Sequence, residues 1–420
     1  MTQVSTASPD QPRQYQHTLS NGLTLLAEFI PNLRSAAMTL VVPGGAASDP
    51  DDCSGAATVL SDWLLRGAGS RDSRALTGYL DGLGVQRGSQ AETSFIRFSA
   101  SMLSKNLLSV LPVYADIVQR PQLPTEGFEP AKDLALQQLA SIEDEPSHKL
   151  SILLRERHYP WPFGRPTLGV AAQLEAMTAD ALRGDYARRF TPRGSILSVA
   201  GNFDWATLKA TVESAFGGWA EKPVVAPTAR QPETGISHVR QETNQVQIGL
   251  AYDSVPESHA ESLLAQTALN VLSGGMGARL FMEIREKQGL CYSVHAGYHS
   301  LKNRAAVFGY SGTAPERAQR TLDSFIVELK RLAQGITADE LERARISMKS
   351  RVIMQGESSG ARAGALVYDF YHRGRTRTLA DLKGQIESIT LDAVNAHLAK
   401  NPVGQLTVVT IGPEPLKVNL

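Results

Sequence analysis

Leu174-Glu-Ala-Met177-Thr178-Ala-Asp180-Ala181-Leu182 recurs 212 residues later as Ile386-Glu-Ser-Ile389-Thr390-Leu-Asp392-Ala393-Val394. Downstream of the first copy, Pro192-Arg-Gly194-Ser-Ile196-Leu-Ser-Val199 returns 210 residues on as Pro402-Val-Gly404-Gln-Leu406-Thr-Val-Val409. A looser third pair is Leu123-Pro-Thr125 and Ile336-Thr337, each before a helical stretch. Three matches in the same order at nearly one offset indicate a tandem duplication of a domain about half the chain long.

The junction falls where Glu221-Lys-Pro223-Val-Val-Ala-Pro227-Thr-Ala-Arg-Gln-Pro232-Glu-Thr-Gly235 carries three prolines and no helical period. Proline fixes φ and removes a donor, so this stretch reads as an extended linker. The expected plan is a disordered tail over 1–14, a first domain over 15–220, a linker over 221–235 and a second domain over 236–420.

Within the halves, strand and helix signals alternate irregularly. Leu23–Phe29 follows a Ser20-Asn21-Gly22 turn and reads as a hairpin partner of Ala36–Val42. Thr93–Met102 alternates as a strand does, and Ala56–Leu65 is apolar at helical spacing. Thr337-x-x-Glu340 is a capping box before a helix expected to end near Gln355. Clean strand–helix–strand units are lacking. The expected class is therefore α+β: two homologous domains, each a mostly antiparallel or mixed sheet with helices against one face.

Composition narrows the function. The 420 residues carry 42 basic and 42 acidic side chains, so there is no cationic excess to replace the counterions of a nucleic acid or to hold an anionic membrane surface. An apolar fraction of 42% with 20% charged residues is that of a soluble globular chain. Cys53 and Cys291 cannot build a disulfide framework or a zinc knuckle. No apolar run is long enough to insert in a bilayer. Met1–Gln14 has no apolar core, so as written the chain reads as cytoplasmic, with the periplasm open if a signal peptide has been removed.

One segment concentrates candidate chemistry: Leu272-Ser-Gly-Gly-Met-Gly-Ala-Arg279-Leu-Phe-Met-Glu-Ile-Arg285-Glu-Lys-Gln-Gly289-Leu-Cys-Tyr292-Ser-Val294. A glycine-rich turn opens a helix from about Met276, with Leu280, Phe281 and Ile284 as its apolar stripe. Gly289 ends it as a left-handed cap, and a strand follows. No Gly-Lys-Ser/Thr follows the glycines, so this is not a phosphate-binding loop. On residue types alone, the favoured readings are that Arg285 is a cation at a helix C-terminus or in a surface ion pair and Tyr292 a half-buried strand tyrosine. Elsewhere His295 and His299 lie on one strand, about 13 Å apart, too far to share a metal. No independent nucleophile elbow or triad is present.

The pattern Gly277-Ala-Arg279-Leu280-Phe281-x-x-Ile284-Arg285-Glu286-Lys287-x-Gly289-Leu290-x-Tyr292-Ser293-Val294 resembles the second-domain signature of the pitrilysin-type zinc metallopeptidases, which include the mitochondrial processing peptidases. Leu19-Ser-Asn21-Gly22-Leu23 and Pro43-Gly-Gly-Ala-Ala-Ser-Asp49 are similar to that family's opening strands and to the stretch before its catalytic helix. The resemblance implies tandem domains forming a half-shell that closes a chamber with a companion. It also implies an inverted His-x-x-Glu-His zinc motif on a first-domain helix and a glutamate on a later one.

Here the motif is degenerate. The ligand positions fall on Thr58 and Asp62, the general-base position on Ser61, and the later glutamate positions on Gln137 and Gln138. A catalytic zinc site needs three His, Cys or carboxylate ligands plus water, and a serine is no base at neutral pH without an activating partner. The expectation is that this chain holds no catalytic zinc and no other cofactor. What survives is Arg285 and Tyr292, which in the family reach the zinc site of the other half. The implied role is a non-zinc subunit acting in trans within a heterodimer, beside a homologous zinc-bearing partner and on a polypeptide substrate. Alone, the chain could form a homodimer. The competing reading is an inert structural or peptide-binding homologue.

Overall fold

The computed structural model describes residues 12–223 and 228–418. Within them lie two sheets built on one plan. In the first, the strands run in the order Arg13–Thr18, Thr24–Phe29, Ile196–Gly201, Ser35–Pro43, Phe95–Leu103, Gln86–Ala91. The second runs Ile236–Arg240, Thr407–Gly412, Val246–Ser254, Arg304–Thr313, Ser293–Leu301. Each has a single parallel pairing at the corresponding place, Thr24–Phe29 with Ile196–Gly201 and Ile236–Arg240 with Thr407–Gly412. Arg13–Thr18 is the one strand of the first sheet without a counterpart in the second. The repeated sequence motifs fall on equivalent elements. Thr178 and Thr390 each cap a helix, accepting from Ala181 N–H and Ala393 N–H, and each helix leads toward a parallel-paired strand.

The expected hairpin of Leu23–Phe29 with Ala36–Val42 does not form. Strand Ile196–Gly201 lies between them, antiparallel to one and parallel to the other. All six of its residues are buried, so burial on both faces draws it to the sheet centre over the nearer sequence partner. The first helix spans Ala56–Trp63, the capping-box helix Ala338–Gly356, and the alternating strand Phe95–Leu103, all close to expectation.

The chain divides into two compact units that do not follow sequence order. One comprises Met1–Ser141, Trp161–Ala229 and Gln355–Phe370, and the other Ile142–Pro160, Arg230–Met354 and Tyr371–Leu420. The expected boundaries at 15–220 and 236–420 are therefore crossed twice. Of the expected tail, residues 1–11 lie outside the described residues, and Arg13 and Gln14 are already in a strand. The expected linker has no helix or strand over its described residues, and 224–227 lie outside them.

The crossings have a packing cause. In the first unit most helices bury one face of the sheet, around Leu25, Met38, Leu40, Phe98 and Val199. The other face presents Ala37 and Ala200, and Ala363 of helix Ser359–Arg373 packs on them. Ser198 Oγ donates to Ala363 O at 2.7 Å, and Ser35 Oγ meets Ser359 Oγ at 3.3 Å. Beside them the fully buried Arg362 grips Glu28 with Nε at 2.9 Å and Nη2 at 2.6 Å. In the second unit, helix Pro146–His158 lays Leu150 and Leu154 on Ala251, Val409 and Ile411. Gly249 permits the close approach, since a Cβ there would stand 3.1 Å from Leu154 Cδ2. Small residues at both places let the helix axis come near the sheet.

Two predictions follow from these seats. Glu28→Ala leaves the buried Arg362 guanidinium without its carboxylate and should destabilise the first unit by about 3–5 kcal/mol; denaturant unfolding reads this directly. The second concerns His299, whose Nδ1 lies 2.9 Å from the Tyr159 hydroxyl just after helix Pro146–His158. Burial, helped by the charges of Arg155 and His372, pushes the His299 imidazole down to about 4. The folded group then takes its proton at lower pH than the unfolded one, whose ordinary value is about 6.5. Its contribution is complete above that value and is lost as pH falls from about 6.5 to 4. Melting temperatures across that window should drop less steeply for His299→Gln than for the wild type.

Candidate functional site

Helix Ala56–Trp63 begins at Gly55, whose φ of 98° is left-handed. Its first N–H groups are satisfied by the buried Asp49 carboxylate, which accepts from Gly55 N–H at 2.8 Å and Ala57 N–H at 3.0 Å. Arg189 clamps Asp49 at 3.1 Å and also pairs with Asp185. The scaffold that would aim a first-domain motif is thus well built, with an anion at the helix N-terminus where the dipole favours it.

The side chains it aims are not metal donors. Thr58 Oγ1 donates to Thr167 O at 2.5 Å, and Ser61 Oγ donates back to Thr58 O at 2.8 Å. The Asp62 carboxylate is taken by Arg66, with Nε 2.5 Å from Oδ2. Gln137 and Gln138 are exposed on helix Thr125–Ser141, which packs against the first helix through Trp63 and Phe128, ring centroids 5.1 Å apart. A zinc ion does not fit this set: two hydroxyls committed to carbonyls, two neutral amides and one carboxylate already paired. Among the described residues, no three His, Cys, Asp or Glu side chains come together in a way that could hold a metal.

The second-domain segment carries the other sequence candidates. The expected helix from about Met276 is shorter and differently wound. Phe281–Lys287 forms a π-helix, entered through Arg279 and Leu280. Gly289, with φ of 59°, closes it as expected; its N–H donates to Arg285 O at 3.1 Å and Leu290 N–H donates to Ile284 O at 3.0 Å. The backbone then runs straight into strand Ser293–Leu301, with Tyr292 N–H donating to Gly312 O at 2.9 Å.

Every flank of this turn is tied down. Leu280 and Ile284 are fully buried. Thr313 Oγ1 donates to Leu290 O at 2.5 Å and Arg317 Nη1 to Gly289 O at 2.6 Å. At the entry, Arg279 grips Glu340 with two bonds of 2.7 and 2.8 Å and reaches Gly335 O at 2.9 Å. Glu340 also accepts from Thr337 N–H, as the capping box requires, and the Arg279 bond holds its carboxyl down at about 2. Sequence reading found the cap but not its second partner, because nothing local joins positions 61 residues apart.

On this fixed backbone two functional groups face solvent. Arg285 is exposed and has no carboxylate partner among the described residues; its guanidinium carbon lies 4.8 Å from the Phe281 ring centroid. Tyr292 is 62% exposed, not half-buried, and its hydroxyl has no hydrogen-bond partner among the described residues. Between them in sequence, burial pushes the Cys291 thiol up, against the pull of Ser311 and the Arg285 charge, so it is no thiolate nucleophile at neutral pH.

Two family descriptions match this chain, "Insulinase (Peptidase family M16)" over residues 25–169 and "Peptidase M16 inactive domain" over residues 176–348. The chain belongs to peptidase family M16. This M16 chain is similar to a Mycobacterium tuberculosis protein named an uncharacterized zinc protease, 26% identical over 415 residues, 96% of this chain and 94% of that one. A Bacillus subtilis protein named in the same way is 25% identical over 386 residues, 90% of this chain and 93% of its own length. Among solved structures, the peptidase M16 inactive domain from Pseudomonas fluorescens matches with a TM-score of 0.87 at 21% identity, covering 97% of this chain and all of that one. A protease from Helicobacter pylori also gives 0.87, at 17% identity over 96% of this chain. These two establish the shared fold. The family is one of zinc metallopeptidases, and no helix among the described residues is long and apolar enough to cross a membrane.

The glycine at the end of the π-turn offers a direct check on this geometry. No atom stands within 4 Å of a Cβ at Gly289, so a substitution there meets backbone strain alone. Gly289→Ala should cost about 1–2 kcal/mol of stability, and Gly289→Asn less, because asparagine tolerates the left-handed region; thermal unfolding of the two variants measures the order.

Proposed function

We propose that this chain is the non-zinc subunit of a heterodimeric zinc metalloendopeptidase, completing the partner's active site with Arg285 and Tyr292. One observation carries the reading. The chain presents a cation with no carboxylate partner and a phenol with no hydrogen-bond partner, among the described residues, on an immobilised turn, while its own motif positions Thr58, Ser61, Asp62, Gln137 and Gln138 are spent on internal bonds or are neutral amides. A structural subunit gains nothing from leaving two such groups exposed at either end of one rigid turn. A catalytic partner does gain, because preorganised donors stabilise developing charge without reorganising when the reaction occurs.

In this reading the partner is a homologous chain that carries the zinc. Zinc there would supply the activated water, and this chain supplies two contacts to the scissile region of a polypeptide substrate. The Tyr292 hydroxyl donates to the oxygen that becomes negatively charged. Arg285 binds substrate carbonyl or carboxylate oxygens through its fork of N–H donors. In isolation the chain could self-associate as a homodimer.

The test is reconstitution with the zinc-bearing homologue. Tyr292→Phe should lower kcat by about 10²–10³, the loss of one oxyanion donor, with assembly intact by size-exclusion chromatography. In the same preparation, metal analysis should find zinc in the partner and not in this chain. Normal turnover by the Tyr292→Phe pair would remove the assigned role and favour an inert peptide-binding homologue.

A further inference from the structure

We propose that Phe281 is a positioning residue for Arg285, holding the guanidinium over its ring so that the donor edge stays directed at substrate. The inference rests on the function proposed above. It starts from the winding of Phe281–Lys287. On a helical turn, residues i and i+4 lie on one face, one above the other. Phe281 and Arg285 are such a pair, and their separation of 4.8 Å is within cation–π range.

The rest of the turn explains why the ring makes a firm seat. Leu280 and Ile284 on either side of its register are buried. Glu283 is held by Lys287 at 2.8 Å and by Arg331 of helix Ala318–Leu332 at 3.5 Å. Gln288 Oε1 accepts from Ser324 Oγ at 3.3 Å. Phe281 itself is only half-buried, and its face is given to Arg285.

The choice of partner matters chemically. A carboxylate would orient Arg285 but would occupy its forked N–H donors. A ring face holds the plane of the cation by its quadrupole and leaves the in-plane donors unspent. Arg285 has no carboxylate among the described residues, so orientation is supplied here without loss of binding capacity. A leucine at position 281 would fill comparable space and lack the quadrupole.

The experiment has two arms. In the isolated chain, NMR of Arg285 should show ring-current-shifted side-chain resonances, lost in Phe281→Leu and kept in Phe281→Tyr, with the fold unchanged by circular dichroism. In the reconstituted pair, Phe281→Leu should lower kcat/KM by about 2- to 5-fold, mainly through KM, and Phe281→Tyr should restore it. In an Arg285→Ala background the Phe281→Leu change should have no further effect, which a merely structural role would not predict. Unshifted Arg285 resonances in the wild type, or an undiminished Phe281→Leu loss without Arg285, would overturn the proposal. If Arg285→Ala itself leaves turnover untouched, the proposed use of Arg285 falls, and the NMR arm still decides whether Phe281 orients it.

Discussion

Arg362 and Glu28 meet in the interior of the first unit, 334 residues apart in sequence, and much of the architecture follows from their contact. A buried guanidinium without a carboxylate is among the costlier defects a core can carry. The pair therefore fixes where helix Ser359–Arg373 sits against the face of Ala37 and Ala200. The second sheet solves the same problem differently, receiving Leu150 and Leu154 over Gly249 and Ala251, with His158 Nδ1 at the helix end 3.0 Å from Thr407 Oγ1. Each sheet thus has its own helices on one face and, on the other, a helix supplied by the opposite half of the sequence. Neither half could keep both faces of its sheet from water with its own helices as arranged here.

Rigidity at the candidate site comes from similar economy. The π-turn is surrounded by contacts that fix its backbone: the buried Leu280 and Ile284, the Arg279–Glu340 clamp, and hydroxyl and guanidinium donors to Leu290 O and Gly289 O. Arg285 and Tyr292 remain outside these contacts. Fixed backbone with free functional groups is the arrangement by which a protein lowers the cost of binding or of stabilising charge. The first-domain helix shows the converse. Its N-terminus is anchored as carefully, by Asp49, Arg189 and Asp185, yet the side chains it presents have been turned to internal hydrogen bonds.

Much of this was legible in the chain. The duplicated motifs at 174–182 and 386–394 fell on equivalent capped helices, and the glycine predicted to end the second-domain helix does so in the left-handed region. Once the family resemblance had placed the motif, residue chemistry showed that positions 58, 61, 137 and 138 carry no metal-binding side chain and that Asp62 is left as a lone carboxylate. The hairpin assignment failed because strand pairing rewards burial, and the fully buried Ile196–Gly201 outcompeted the local partner. The exposure of Tyr292 was missed because period-two alternation gives a side chain's face and not whether anything covers that face.

Periodicity, capping and residue type are local properties, so the sequence determined the two repeated domains and their α+β class, and its resemblance to a known family pointed to the degenerate metal positions and the candidate pair Arg285 and Tyr292. The exchange of helices between halves and the second role of Glu340 depend on groups brought together from distant positions. Those were decided by the tertiary structure, because close packing and the pairing of buried charge are satisfied only among neighbours in space.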